Sequence, residues 1–122
     1  MTPIFIKLPF PSSELNPNRR SGRHWKTSLA AKSQAANDAR TLTLEAMRGE
    51  TFCSTRNLCV EIVFHAPDKR RRDLDNLVAS MKPAIDGIAN ALQIDDSRIT
   101  KLIVVKTLNL ISPRTEITIK EL

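Results

Sequence analysis

Apolar residues alternate with polar ones, or cluster, in four stretches, and recur at helical spacing in two more. Ile4-Phe5-Ile6-Lys7-Leu8 is a short apolar run stopped by Pro9 and Pro11, which predicts a strand. Leu58 to Phe64 is rich in β-branched side chains and predicts a second, ended by Pro67. Ile99 to Leu108 predicts a third, with Leu102-Ile103-Val104-Val105 as its core. Thr115 to Lys120 alternates at period two and predicts a final antiparallel strand, reached through a tight connection at Ser112-Pro113-Arg114.

Residues 28 to 48 carry Ala31, Ala35, Ala39, Leu42 and Ala46 at helical spacing, with Ser28 as a start and Gly49 as a stop. This small face suits close packing on a sheet or on a second copy of the chain. A second helix is predicted from Asn76 to Leu92, burying Leu77, Met81, Ile85, Ile88 and Leu92. At about 100° per residue, Asp75, Lys82 and Asp86 share another line on it. Pro83 should kink this helix or begin a new segment. Ile94 to Ser97 reads as a turn. The order β-α-β-α-β-β predicts a single α+β domain over residues 1–122, a mixed sheet with helices mainly on one face.

Residues 11 to 26 read as a loop rich in Pro, Ser and Asn. It carries Arg19, Arg20, Arg23, His24, Trp25 and Lys26. Such a loop either touches a phosphate backbone or is simply solvated, with Trp25 folded onto the core.

Length and charge narrow the classes. A chain of 122 residues buries a core without disulfides or zinc. A net charge of +6 points to a polyanionic partner. With four Phe, one Trp and no Tyr, an aromatic platform for single-stranded bases is disfavoured. Cys53 and Cys59 lack a zinc or redox spacing and read as free thiols of a reduced compartment. The first ten residues lack the pattern of a secretory signal, and no run approaches ~18 apolar residues. A cytoplasmic protein with no membrane span is expected.

Three charge clusters fall between residues 69 and 96: Lys69-Arg70-Arg71-Arg72, Asp73-Leu74-Asp75-Asn76, and Asp95-Asp96, with Lys82 between the acidic pair of motifs. Two aspartates at i and i+2 point to one side of an extended backbone. A hard cation such as Mg²⁺ takes one or two carboxylates together with water and phosphate oxygens. Asp73 and Asp75 suit that role, and of the second pair Asp96 is the better third ligand. Lys82 would compensate the carboxylates, orient a water or stabilise charge on phosphorus. Each motif also has a structural reading. D-x-D is a common helix cap, D-D-S a common turn, and Lys82 with Asp86 a common surface pair.

The series Arg72-Asp73-Leu74-Asp75-Asn76-Leu77, Lys82-Pro83-Ala84-Ile85-Asp86-Gly87-Ile88 and Ile94-Asp95-Asp96-Ser97-Arg98-Ile99, with Lys106 on the next strand, resembles the RusA family of Holliday junction resolvases. These are small Mg²⁺-dependent endonucleases common in prophages. The resemblance implies a homodimer that binds a four-way DNA junction and nicks two opposed strands during recombination and repair. It implies Asp73, Asp75 and Asp96 as catalytic metal ligands for Mg²⁺, with Mn²⁺ as a substitute, and Lys82 as the catalytic lysine. Arg19, Arg20, Arg23, Lys69, Arg70, Arg71, Arg72 and Lys106 are the expected DNA contacts. Five residues separate Asn76 from Lys82, where the family pattern has two; three extra residues make nearly one helical turn. The rival expectation is a non-catalytic basic nucleic-acid-binding protein.

Overall fold

The computed structural model describes residues 2–16 and 25–122, with only the backbone of residues 25–27. Arg19, Arg20, Arg23 and His24 lie outside the described residues, as do the side chains of Trp25 and Lys26. The elements are β1 (Ile4–Leu8), α1 (Trp25–Met47), β2 (Leu58–Ala66), α2 (Leu74–Ser80), α3 (Lys82–Leu92), β3 (Ile99–Leu108) and β4 (Arg114–Glu121). Short 3-10 turns occupy Ser13–Leu15 and Asp96–Arg98. The α+β order expected from the sequence is present.

The four strands form one mixed sheet in the order β1-β4-β2-β3. β2 and β3 are parallel, and the crossover between them is made by α2 and α3. β4 pairs antiparallel with both β1 and β2, setting Ile119 opposite both Ile4 and Val60. The last strand therefore does not lie beside β3, the strand that precedes it. The chain crosses over the end of β2 instead, where the Asn109 N–H donates to the Ala66 carbonyl at 2.8 Å.

Burial alternates along β1 and β4, so one sheet face is covered. Val60, Ile62, Phe64, Ile117 and Ile119 form its buried side and pack with Leu77, Met81, Ala84, Ile88 and Leu92 of the helices. Four of the five predicted stripe residues of the second helix are buried; Ile85 is half-buried. The opposite face carries ion pairs such as Lys120 with Glu61 and His65 with Glu116.

Three sequence expectations need correction. α1 begins at Trp25 rather than at Ser28. Ala46 is exposed, and the buried line runs through Ala39 and Thr43, whose hydroxyl donates to the Ala39 carbonyl at 2.7 Å. The line Asp75-Lys82-Asp86 does not exist, because the predicted second helix is two. The backbone flattens at Met81 (φ −88°, ψ −4°) and α3 restarts with Pro83 in its first turn, where a missing N–H costs nothing. Asp75 thus stands on one helix and Lys82 with Asp86 on the next. α1 packs on α3 and β1, and the closest approach is at Gly87, where a Cβ would lie 2.2 Å from the Ala36 carbonyl oxygen.

Candidate active site

The basic run occupies the loop between β2 and α2, and its shape is set by Asp68. The Asp68 Oδ1 accepts from the Arg70 N–H and from Arg72 Nη1, both at 2.9 Å. The Arg72 bond above all, and then the Arg70 N–H, hold the Asp68 carboxyl below the ordinary carboxylate range. The Arg72 guanidinium lies 5.0 Å over the Phe10 ring, which meets Phe64 edge-on in the core. Lys106, from β3, donates to the Arg72 carbonyl at 2.6 Å. Arg72 and Lys106 thus have partners inside the chain and brace the loop. Lys69, Arg70 and Arg71 are exposed, with the Arg71 side chain 92% accessible.

The same loop delivers the first acidic pair. Asp73 sits at the cap position of α2 with extended backbone, yet its side chain makes no capping bond. Its half-exposed carboxylate faces Arg71 Nε at 3.6 Å. Asp75, in the first turn, accepts from the adjacent Asn76 N–H at 3.0 Å. Asp73 and Asn76 line a polar groove between this loop and residues 10–16, with Ser12, Ser13 and Asn16 on its other wall.

A second charged centre lies past the far end of α2. Lys82 Nζ donates to Asp86 Oδ1 at 2.8 Å and to Asp96 Oδ2 at 2.7 Å. These two carboxylates, Asp86 first, hold the Lys82 ammonium well above the ordinary lysine range. The neighbouring Asp95 turns away and caps the 3-10 turn, accepting from the Ser97 N–H at 2.8 Å. That bond lowers the Asp95 pKa below its usual value. Arg98 anchors the turn by donating to the Ser54 and Arg56 carbonyls, each at 2.6 Å.

The two centres belong to opposite ends of α2 along the chain, with Asp73 and Asp75 at its start and Lys82 just past its end. Among the described residues, no three carboxylate, histidine or cysteine side chains gather as a group able to hold a metal ion. The expected meeting of Asp73, Asp75 and Asp96 is therefore not formed within one chain. Asp73 and Asp75 remain a hard-oxygen pair, and Asp96 is engaged by Lys82. Sequence reasoning overlooked Asp68 and Phe10. The signal for Asp68 was present, an aspartate after a proline and four residues before an arginine, which is an Asx-turn pattern. Phe10 had no local signal.

Residues 9–120 match the protein-family model described as Endodeoxyribonuclease RusA. The chain belongs to the RusA family. It is 35% identical, over its full length and 98% of the relative's, to the Crossover junction endodeoxyribonuclease RusA of Shigella sonnei strain Ss046. The protein of the same name from Enterobacteria phage 82 is 32% identical with the same coverage. An uncharacterized protein of Xylella fastidiosa is 38% identical over 76% of this chain and 60% of its own length, so the chain spans less than two thirds of that relative. Membership of a nuclease family of this kind suggests a divalent-metal requirement. Among the described residues, no helix is long and apolar enough to cross a membrane.

Proposed function

We propose that this chain is a Mg²⁺-dependent, structure-selective endodeoxyribonuclease. It would resolve four-way DNA junctions by paired symmetric nicks, in the cytoplasm, during recombination and repair. The observation that carries this reading is Asp73, which occupies a helix-cap position without capping and faces a groove rimmed by Arg70 and Arg71. A purely structural aspartate there would accept an N–H of the first turn.

Asp73 and Asp75 would hold the metal, Mg²⁺ or Mn²⁺ in its place, since such ions take one or two carboxylates and leave room for phosphate oxygens. When bound, the ion polarises the phosphoryl oxygen and lowers the pKa of a coordinated water. Lys69, Arg70 and Arg71 neutralise the backbone phosphates, joined by Arg19, Arg20 and Arg23 of the amino-terminal segment. Arg72 and Lys106 keep the loop in shape. Lys82, held protonated, offers fixed positive charge to the reacting phosphate, with Asp86 and Asp96 aiming it. Asp96 is the third carboxylate of the site. Two nicks in one complex need two sites, which a homodimer of this single domain supplies.

Asp75→Asn is expected to abolish nicking of a synthetic four-way junction while leaving the gel-shift affinity intact or tighter. Full nicking by the variant would overturn the assignment. One observation favours a second reading, a non-catalytic DNA-binding protein: the three carboxylates do not meet within the chain. Wild-type protein that binds branched DNA but cuts none in Mg²⁺ or Mn²⁺ would establish that alternative.

A further inference from the structure

A second hollow adjoins the groove beside Asp73. It is a cavity of about 190 Å³ between residues 8–15, α1 and the break between α2 and α3 at Met81. Its lining is mostly apolar, with Leu8, Phe10 and Met81 around the small side chains of Ala31, Ala35 and Ala84. Ala31 and Ala35 belong to the small face of α1 that the sequence suited to close packing. Both are half-buried, and both border this space.

The cavity shares a wall with the groove that Arg70, Arg71 and Asp73 line: Phe10, Pro11, Ser12 and Ser80 border both. That wall is braced. Phe10 meets Phe64 edge-on and lies under the Arg72 guanidinium. The buried Ser80 hydroxyl donates to the Asn76 carbonyl at 2.9 Å, and the Ser12 hydroxyl accepts from the Glu14 N–H at 3.2 Å. On the α1 side, Gln34 Nε2 donates to Asp38 Oδ1 at 2.7 Å, and the two side chains carry further donor and acceptor atoms.

An apolar hollow with a few placed polar groups suits a flat ring with a polar edge. An apolar cavity of roughly 150 Å³ takes a benzene-sized guest, so this one suits a single six-membered ring better than a fused pair. We infer that it receives one pyrimidine base, unstacked from the DNA strand that lies in the adjoining groove. This rests on the reading of that groove as the place of the DNA. Two features select a base over other occupants. A strand whose phosphates are neutralised by Arg70 and Arg71 has its bases beside the shared wall, whereas a free apolar compound has no such anchor. At a branch point a base is also less firmly stacked than in a duplex, so swinging it out costs less there. The cavity thus favours branched DNA over duplex, whatever the base sequence.

The test measures binding by the full chain, without metal, to synthetic four-way junctions. One abasic position is moved in turn through the nucleotides around the branch point. Ala35→Leu, which fills the cavity, should weaken binding of the intact junction about 10-fold, the size expected for one stacked base. On the junction lacking the captured base it should have no effect, so the two losses do not add. Its duplex affinity should be unchanged. Ser33→Leu, exposed on the same helix and outside the cavity, should bind as wild type. Should Ala35→Leu fail to fold, wild type provides the second measurement: 5-iodouracil placed at the branch point and irradiated in the complex should cross-link to Phe10 or Met81. Full junction affinity in Ala35→Leu, an equal loss on every abasic junction, or cross-links confined to residues 69–72 would overturn the pocket. So would an equal loss on duplex and junction, which would make this part of α1 a general DNA contact. Binding and cross-linking are read without cleavage. Their failure in a chain that still nicks junctions leaves the nuclease reading standing, and a chain that cuts nothing yet shows the non-additive loss keeps the pocket.

Discussion

Lys82 Nζ lies 2.7 Å from Asp96 Oδ2, joining the first residue of α3 to a turn fourteen positions later in the chain. The contact brings the K-x-x-x-D and D-D-S motifs together at the end of the α2–α3 crossover. It also fixes what the lysine can do.

Two carboxylates raise the Lys82 pKa above the ordinary 10.5, so the group is a permanent cation and not a proton acceptor at neutral pH. A raised folded-state pKa contributes stability that is complete below the unfolded value and is lost as pH rises through the folded one. No alkaline limb of the pH–rate profile below about pH 10 should therefore belong to Lys82. Lys82→Arg should keep partial nicking with an unchanged alkaline limb, whereas Lys82→Met should lose about 100-fold or more. The check is the pair of pH–rate profiles. An inflection near neutrality that vanishes in Lys82→Arg would show instead that the lysine acts as a base.

Asp68 shapes the loop that carries Asp73 from within it. Its folded pKa is depressed chiefly by Arg72, so its contribution is present above the ordinary 3.8 and lost as pH falls through the lower folded value. Loop amides followed by NMR should show no Asp68-linked transition between about pH 5 and pH 8. Asp68→Ala should leave the fold intact and slow nicking by about 10-fold, through misplacement of Asp73 rather than loss of a ligand. Wild-type nicking rates in Asp68→Ala would remove the loop from the mechanism.

Gly87→Ala should destabilise the protein by about 1–3 kcal/mol, because the new methyl meets the Ala36 carbonyl and α1 must move off α3. Shortening the Ala36 side chain cannot relieve this, since the clash is with backbone. Thermal unfolding of Gly87→Ala and of Gly87→Ala/Ala36→Gly should give equally lowered midpoints or worse for the pair. Recovery in the double variant would refute the explanation.

Much of this was legible in the residues. Local pattern located all four strands, because each is bounded by proline, turn residues or a change of period. Pro83 announced the break between α2 and α3, and the Asp95-Asp96 pair divided as local geometry requires, one to the backbone and one outward. What could not be read depended on contacts distant in sequence. Arg72 looked like one more phosphate ligand in a run of four, and only its meeting with Phe10 and Lys106 makes it a brace. The place of β4 between β1 and β2 follows from no periodicity, since both faces of the choice bury the same isoleucines. The separation of Asp96 from Asp73 and Asp75 was hidden for the same reason. Spacing along the chain reports helical turns, and the helix it assumed is interrupted.

The insertion of β4 between the two strands made earliest has a kinetic side. Ile4 finds Ile119 only after nearly the whole chain has been threaded, so the sheet closes by its most non-local pairing, the slow kind. Until residues 114–121 slot in, Phe64 lacks the neighbour strand that fixes the floor beneath Phe10 and Arg72. The loop proposed above to carry the cutting residues thus gains its floor only once the last strand of the chain is in place.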